Sequence, residues 1–386
     1  MAAGGGAPSL GRMKSSRSLI PILLGIALAG CGGASAPASS SPPAAAKPAS
    51  AAPAATVNSQ RALVLGGGGP VGRAWHIGML KGLKDAGVDL TQADLVVGTS
   101  SGAVLGTQIR ARKALEGLYS ASLAAVSSPI SPAAAPPFDL DYAQDAVKPV
   151  TSLTSISDLT PAVRIEVGKR ALGATKVISE DAQIQIAAAA LGDIYDWPQP
   201  LLKLAAGDVT DGTIRFFDRT QGVPIERALA ASSANPLTGR TPMTIGDRRY
   251  LDGAVGGTNI DGAAGSGAVV ALLPPSMLQP DVARQQVEAM RSKGAKIIAL
   301  QPDADSQAAM GSDRFDLTRV KPTAEAAVRQ AASVAADVRG LWGATSAPAA
   351  ASAGARAAAD TVAIALRRDE AINRGDAEAA AAASAK

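Results

Sequence analysis

Leu95-Val96-Val97-Gly98-Thr99-Ser100-Ser101-Gly102 decides how this chain of 386 residues is read. Three branched apolar residues in a row suit a strand buried on both faces, the form taken by the inner strands of a parallel sheet. The run breaks at Gly98, and residues 103–112 continue with a helix-compatible pattern. A serine on such a tight strand-to-helix turn needs glycine two places before and two places after it, because chain passes close to chain there. Only Ser100 meets that condition, with Gly98 and Gly102; Ser101 has Thr99 and Ala103 in those places. The backbone N–H of Ser101 is a candidate donor to an oxyanion. The helix that starts here favours negative charge developing at its N-terminus. Glycine-rich turns also carry incidental serines, so the motif needs support from elsewhere in the chain.

Upstream, Ala62-Leu63-Val64-Leu65 reads as another buried strand and runs into Gly66-Gly67-Gly68-Gly69-Pro70-Val71-Gly72. A glycine loop after a strand would also suit a dinucleotide site, which requires an acidic residue at the end of the next strand. The next strand ends in Gly98-Thr99-Ser100, so that reading loses its ribose contact. The loop serves better as a set of N–H donors to a tetrahedral oxyanion. Pro70 has no N–H, which leaves Gly67, Gly68 and Gly69 as the donors. A helix follows, with Trp75, Met79, Leu80 and Leu83 on one side and Gly87 as its stop.

Further strands are expected at 202–206, 214–217, 268–273 and 296–300, alternating with helices at 224–233, 281–293 and 324–342. Such alternation indicates an α/β fold, a three-layer α/β/α sandwich with a mostly parallel central sheet. Residues 113–200, with Pro- and Ser-rich pieces and weak helical runs, fit least well and read as an insertion or lid near the site.

A serine nucleophile needs a base, and His76 is the only histidine. It falls on the helix after the glycine loop and ahead of the serine, where a packing role is the better expectation. A carboxylate must then act directly on the serine, in a site dry enough to raise its basicity. Asp252, in Tyr250-Leu251-Asp252-Gly253-Ala254, is one candidate; Asp208 and Asp211 also flank Gly-containing turns. Composition alone does not choose among them.

The glycine loop, Gly-x-Ser-x-Gly and a later Asp-Gly-Ala together resemble the patatin-like phospholipase family. Residues 74–83, with His76-Ile77-Gly78-Met79-Leu80, and Ala231-Ser232-Ser233-Ala234-Asn235-Pro236 look like that family too. The resemblance covers roughly 61–264 and continues weakly to Trp342. It implies a patatin-like fold and a Ser-Asp dyad, which maps onto Ser100 and Asp252. It also implies an oxyanion hole on Gly67 to Gly69, and motif support from Gly72, Gly98, Ser101, Gly102, Gly253 and Ala254. The family often has a basic residue where this chain has Val71, with Arg73 on the other side of Gly72.

The segment before the domain carries a different message. Lys14 and Arg17 precede an apolar stretch at 19–29, and Leu28-Ala29-Gly30-Cys31 resembles a lipobox, in which the cysteine is acylated and becomes the new N-terminus. Met13 is the expected start, with 1–12 an extension before it. Cys31 is the only cysteine, which excludes an internal disulfide and a cysteine-based zinc site. Residues 31–60, rich in Ala, Pro and Ser, read as a tether; 61–264 as the catalytic domain, 265–345 as its α/β continuation and 346–386 as an Ala-rich tail. The formal charge is +4, and Arg12, Lys14 and Arg17 supply three of it, so a chain beginning at Cys31 is nearly neutral. With only 3% aromatic residues and no basic cluster, nucleic acid is not the expected partner. No run reaches the roughly 18 to 20 apolar residues that span a bilayer.

These readings describe an exported, membrane-anchored lipoprotein, at the outer membrane or cell surface, since Gly32 and not Asp follows Cys31. It would cleave lipid or phospholipid esters without a cofactor or metal, and no obligate protein partner is evident. The competing expectations are a transacylase or short-chain esterase, and a non-catalytic lipid-binding lipoprotein on the same fold.

Overall fold

Ala62 to Leu65, every one of them fully buried, form most of the strand on which the sheet is centred. The computed structural model describes residues 61–124, 139–199 and 201–343; Cys31, the 31–60 tether and the 346–386 tail lie outside the described residues. In chain order the regular elements are β1 (Arg61–Leu65), α1 (Gly69–Asp85), β2 (Leu95–Gly98), α2 (Ser101–Arg110), α3 (Leu115–Ala124), α4 (Leu140–Thr151), α5 (Pro161–Leu172) and α6 (Glu180–Leu191). After them come β3 (Leu202–Asp208), β4 (Ile214–Phe217), α7 (Ile225–Ser232), β5 (Met243–Ile245), β6 (Arg248–Asp252), β7 (Ala268–Leu272), α8 (Pro280–Arg291), β8 (Ile297–Leu300), α9 (Ala304–Met310) and α10 (Val320–Trp342).

The sheet has the order β5-β6-β3-β2-β1-β7-β8, with β4 also paired to β3. β3, β2, β1, β7 and β8 run parallel, while β4, β5 and β6 are antiparallel additions. Alternation along β1 sends its side chains to two cores. Leu63 and Leu65 pack with Trp75 of α1, Leu105 of α2, Leu229 of α7 and Val338 of α10. Ala62 and Val64 face the other way, toward Ile260, Ala263 and Val287 of α8. Helices therefore cover both faces, because a strand apolar on both sides must be shielded on both. The α/β sandwich read from the sequence is the observed architecture.

β3 carries the arrangement that matters most. On one edge, Leu204 pairs with Phe217 and Ala206 with Arg215, both in β4. On its other edge, Leu204 pairs with Gly98 of β2 and Ala206 with Asp252 of β6. β2 and β6 thus share one edge of β3 in tandem and meet end to end, two residues apart along β3, or about 7 Å at strand spacing.

Strands β5 and β6 were not expected from the sequence. Arg248 and Arg249 sit in a hairpin of very short strands, which hides its periodicity; their charges go to Asp208 and Asp211, 2.6 and 2.8 Å from Arg248, and to Glu180, 3.4 Å from Arg249. The helices of residues 113–200 spread around the sheet. Leu115 of α3 and Ala187 of α6 join the core of α1 and α2, whereas Val147 of α4 and Val167 of α5 pack with Leu251 and Val255.

Candidate active site

Ser100 occupies the turn between β2 and α2 with φ 54° and ψ −120°, a conformation that costs a non-glycine residue about 1–3 kcal/mol. Two neighbours hold it there. The Ser100 N–H donates to Ser232 Oγ at 3.1 Å, and Thr99 N–H donates to Leu65 O at 3.0 Å. The spacing of Gly98 and Gly102 has the steric origin read from the sequence. A Cβ on Gly102 would lie 2.2 Å from Leu65 O, and one on Gly98 2.6 Å from Ala103 Cα.

Asp252 ends β6 and faces that turn. It is fully buried; its N–H donates to Ala234 O at 3.1 Å and its Oδ1 accepts the Ala254 N–H at 2.9 Å. Gly253 follows because a Cβ there would come within 2.3 Å of Ala205 O, the β3 residue between the two strand ends. Oδ2 is buried without a partner of full hydrogen-bond geometry, yet the Ser100 hydroxyl lies near enough to act on the carboxyl. Burial pushes the Asp252 carboxyl up to about 6; the Ala254 N–H, the Ser100 hydroxyl, Arg240 and Arg314 offset part of that rise.

Ser100 and Asp252 line one cleft of about 350 Å³, together with Gly67, Gly68, Gly69 and Ser101. The backbone N–H groups of those three glycines donate to no carbonyl, which leaves them turned to other use. Gly69 and Ser101 open α1 and α2, so two helix N-termini converge on the cleft. Gly72 packs behind the loop, where its N–H donates to Gly68 O at 2.9 Å. Ala254 lines the cleft beside Asp252. Val71 is buried and Arg73 lines the cleft, so the basic side chain lies one residue beyond the last loop glycine.

The other candidates sit elsewhere. His76 is fully buried against β7, with Nε2 3.1 Å from Leu272 O, and does not line the cleft. Burial pushes its pKa down to about 4, so it is a neutral ring whose Nε2–H is already engaged. Asp208 and Asp211 are held by Arg248 and Arg215 at the outer end of β3. The described part of residues 113–200 supplies none of the residues lining the cleft, because the apolar faces of its helices are used against the sheet and its covering helices. Among the described residues, no group of three or more His, Cys, Asp or Glu side chains could hold a metal ion.

Several residues of the site escaped the sequence reading. Asn259, at φ 51°, donates from Nδ2 to Gly253 O at 2.8 Å and to Thr99 Oγ1 at 3.0 Å, tying the aspartate turn to the serine turn. Ser232 and Ala234 belong to the 231–236 stretch already noted for its resemblance, and they support Ser100 and Asp252 respectively. Arg240 and Arg314 line the cleft with no local signal in the sequence to mark them.

The family model described as patatin-like phospholipase matches residues 63–264, just over half of the chain. Among solved structures, VipD from Legionella pneumophila aligns at 13% identity and a TM-score of 0.34, covering 84% of this chain and 79% of that one. The type III effector protein ExoU aligns at 16% identity and a TM-score of 0.31, covering 84% of this chain and 68% of that one. No curated protein sequence matches the chain. This chain belongs to the patatin-like phospholipase family and is a hydrolase of lipid esters.

Proposed function

We propose that Ser100 is the nucleophile and Asp252 the general base of a two-residue mechanism acting on carboxylic esters of lipids. Ser100 Oγ attacks the ester carbonyl carbon as its proton passes to the Asp252 carboxylate. The tetrahedral oxyanion is held by N–H groups of Gly67, Gly68, Gly69 and Ser101, at the convergent ends of α1 and α2. Its collapse breaks the bond to the alcohol, which leaves with the proton from Asp252, and the acyl group stays on Ser100. Water then gives a proton to Asp252 and attacks the acyl-enzyme, and the free acid departs as Ser100 regains its proton.

The observation that carries this reading is the tandem pairing of β2 and β6 along β3, which brings a serine strained for exposure against a buried carboxylate of raised basicity. Anchoring through an acylated Cys31, which lies outside the described residues, suits the reading because it concentrates the enzyme at a lipid interface.

The test is hydrolysis of a long-chain ester by wild type, Ser100→Ala and Asp252→Asn, with circular dichroism of each. Both variants are expected to fold and to lose at least about 1000-fold in kcat, the scale seen when a hydrolase loses its nucleophile or the partner that activates it. Wild-type turnover in either would sink the dyad.

A further inference from the structure

Leu272 closes β7, and the chain that leaves it runs along the glycine loop, beginning where Leu272 O accepts the Gly66 N–H at 3.0 Å. Pro274 then presses on the loop from behind. A Cβ on Gly68 would lie 2.8 Å from Pro274 Cγ, and one on Gly72 3.1 Å from the same atom. Two residues later comes Ser276, and directly after it Met277 and Leu278 are buried with Leu251, Ala254 and Val255, the residues around Asp252. Ser276 is thus fixed from both sides, by a proline packed on the glycine loop and by two apolar side chains packed on the aspartate turn.

Its side chain faces the reacting serine. Ser276 lines the Ser100 cleft, and a Cβ on Gly67 would lie 3.1 Å from Ser276 Oγ, 3.5 Å from Ser100 Cβ and 3.6 Å from Ala254 Cβ. These three groups stand around the bare Cα of Gly67. A substrate atom resting on that Cα is therefore within reach of the nucleophile and of the Ser276 hydroxyl together. Ser276 is half-buried, and its hydroxyl has no hydrogen-bond partner among the described residues. The hydroxyl of Ser232, by contrast, is already engaged by the Ser100 N–H.

The reaction supplies the missing partner. When Ser100 Oγ bonds to the ester carbonyl carbon, the π pair moves onto the carbonyl oxygen, and the same happens when water attacks the acyl-enzyme. Donors already held in place meet that charge best, because they need not reorganise as it forms. A serine hydroxyl has one proton to donate, and Ser276 has no other acceptor for it among the described residues.

We infer that Ser276 is a further catalytic residue, a side-chain donor to the oxyanion that works beside the backbone N–H groups of the glycine loop. It keeps its proton throughout. Ser100 passes its own proton to Asp252, while Ser276 gives a hydrogen bond that is stronger to the oxyanion than to the ester carbonyl. The inference rests on the reading of Ser100 as nucleophile.

The experiment compares wild type, Ser276→Ala, Ser276→Thr and Ser100→Ala, each with its urea midpoint, using a long-chain ester as substrate and an alkyl trifluoromethyl ketone as inhibitor. The ketone adds to a serine nucleophile as a hemiketal whose oxygen stands where the oxyanion forms, and fluorine NMR reports the adduct. Ser276→Ala is expected to keep its midpoint, to lose on the order of 100-fold in kcat with KM little changed, and to bind the ketone more weakly by a similar factor. Ser276→Thr, which keeps the hydroxyl, should recover most of both. Unchanged kcat in Ser276→Ala overturns the inference. So does a fall in kcat with ketone affinity kept, which would assign the hydroxyl to the attacking water, and so does a lowered midpoint with equal losses in Ala and Thr, which would assign it to packing. The adduct separates this inference from the dyad: a hemiketal formed by wild type and absent from Ser100→Ala upholds the nucleophile whatever Ser276 does. A hemiketal still formed by Ser100→Ala, or none formed by wild type, overturns the nucleophile and this inference with it.

Discussion

The positive φ of Ser100 is maintained by its surroundings, since the Ser232 and Thr99 hydrogen bonds and the close pass of Gly102 leave no other path for the chain. Glycine tolerates φ above zero without the Cβ penalty, at some cost in unfolded-state entropy. Ser100→Gly should therefore be more stable than wild type by about 1 kcal/mol in urea unfolding while losing activity. A variant no more stable than wild type would show that the turn stores no strain. Asp252 gives a second expectation at this scale. With its carboxyl raised to about 6, Asp252 is protonated below that pH, and if it is the proposed base kcat/KM should fall with decreasing pH along a limb centred near pH 6. The sign for stability is opposite. A carboxyl raised above its unfolded value of 3.8 favours the fold fully below about pH 4, and that contribution is lost as pH rises through 6. Ionised Asp252 then costs on the order of 3 kcal/mol at pH 8. Asp252→Asn should be more stable than wild type at pH 8, with the difference closing toward pH 4; a pH-independent difference would refute the shift.

Between elements, the site depends on turns that are distant in sequence and joined by one amide. Asn259 reaches both Thr99, before the serine, and Gly253, after the aspartate. Its αL backbone suits Asn better than most residues. Asn259→Ala would leave two buried acceptors without a donor, at about 1–3 kcal/mol for each. The expected result is about 2–6 kcal/mol of lost stability and a kcat reduced about 10- to 100-fold, the scale of a small misplacement of reacting groups. Denaturant titration and steady-state kinetics together test this, and unchanged kcat in a folded variant would deny the link. Nothing local marks Asn259, because Gly256-Gly257-Thr258-Asn259 reads only as a turn and its partner Thr99 is 160 residues away. The β5–β6 hairpin was hidden for a related reason. Its charged residues are matched by Asp208, Asp211 and Glu180, which only the folded chain brings near.

Over the whole molecule, the residues after the family match complete the core. β7 pairs with β1 along its full length, and α10 packs on α1 so closely that a Cβ on Gly78 would lie 2.3 Å from Ala324 O. Trp75 Nε1 donates to Gln330 Oε1 at 2.8 Å across that contact. A chain cut after Ala264 would keep the whole family match but expose an edge of β1 and the apolar face of α1. It should aggregate or lack near-UV circular dichroism, whereas the chain continued to 343 melts cooperatively; a cooperative melt of the shorter chain would contradict this.

Taken alone, the sequence determined the inner strands, the glycine loop and the serine turn. Burial on both faces and the steric need for glycine are properties of a few adjacent residues, so they can be read locally. It did not determine which carboxylate stands beside the serine, since Asp208, Asp211 and Asp252 have similar local surroundings in sequence. Only the tertiary structure decided that, by laying β6 end to end with β2 along β3 and leaving Asp208 and Asp211 in ion pairs at the outer end. These pairings join Gly98 with Leu204 and Ala206 with Asp252, residues far apart in the chain, and their choice is made by packing that no short stretch of sequence contains.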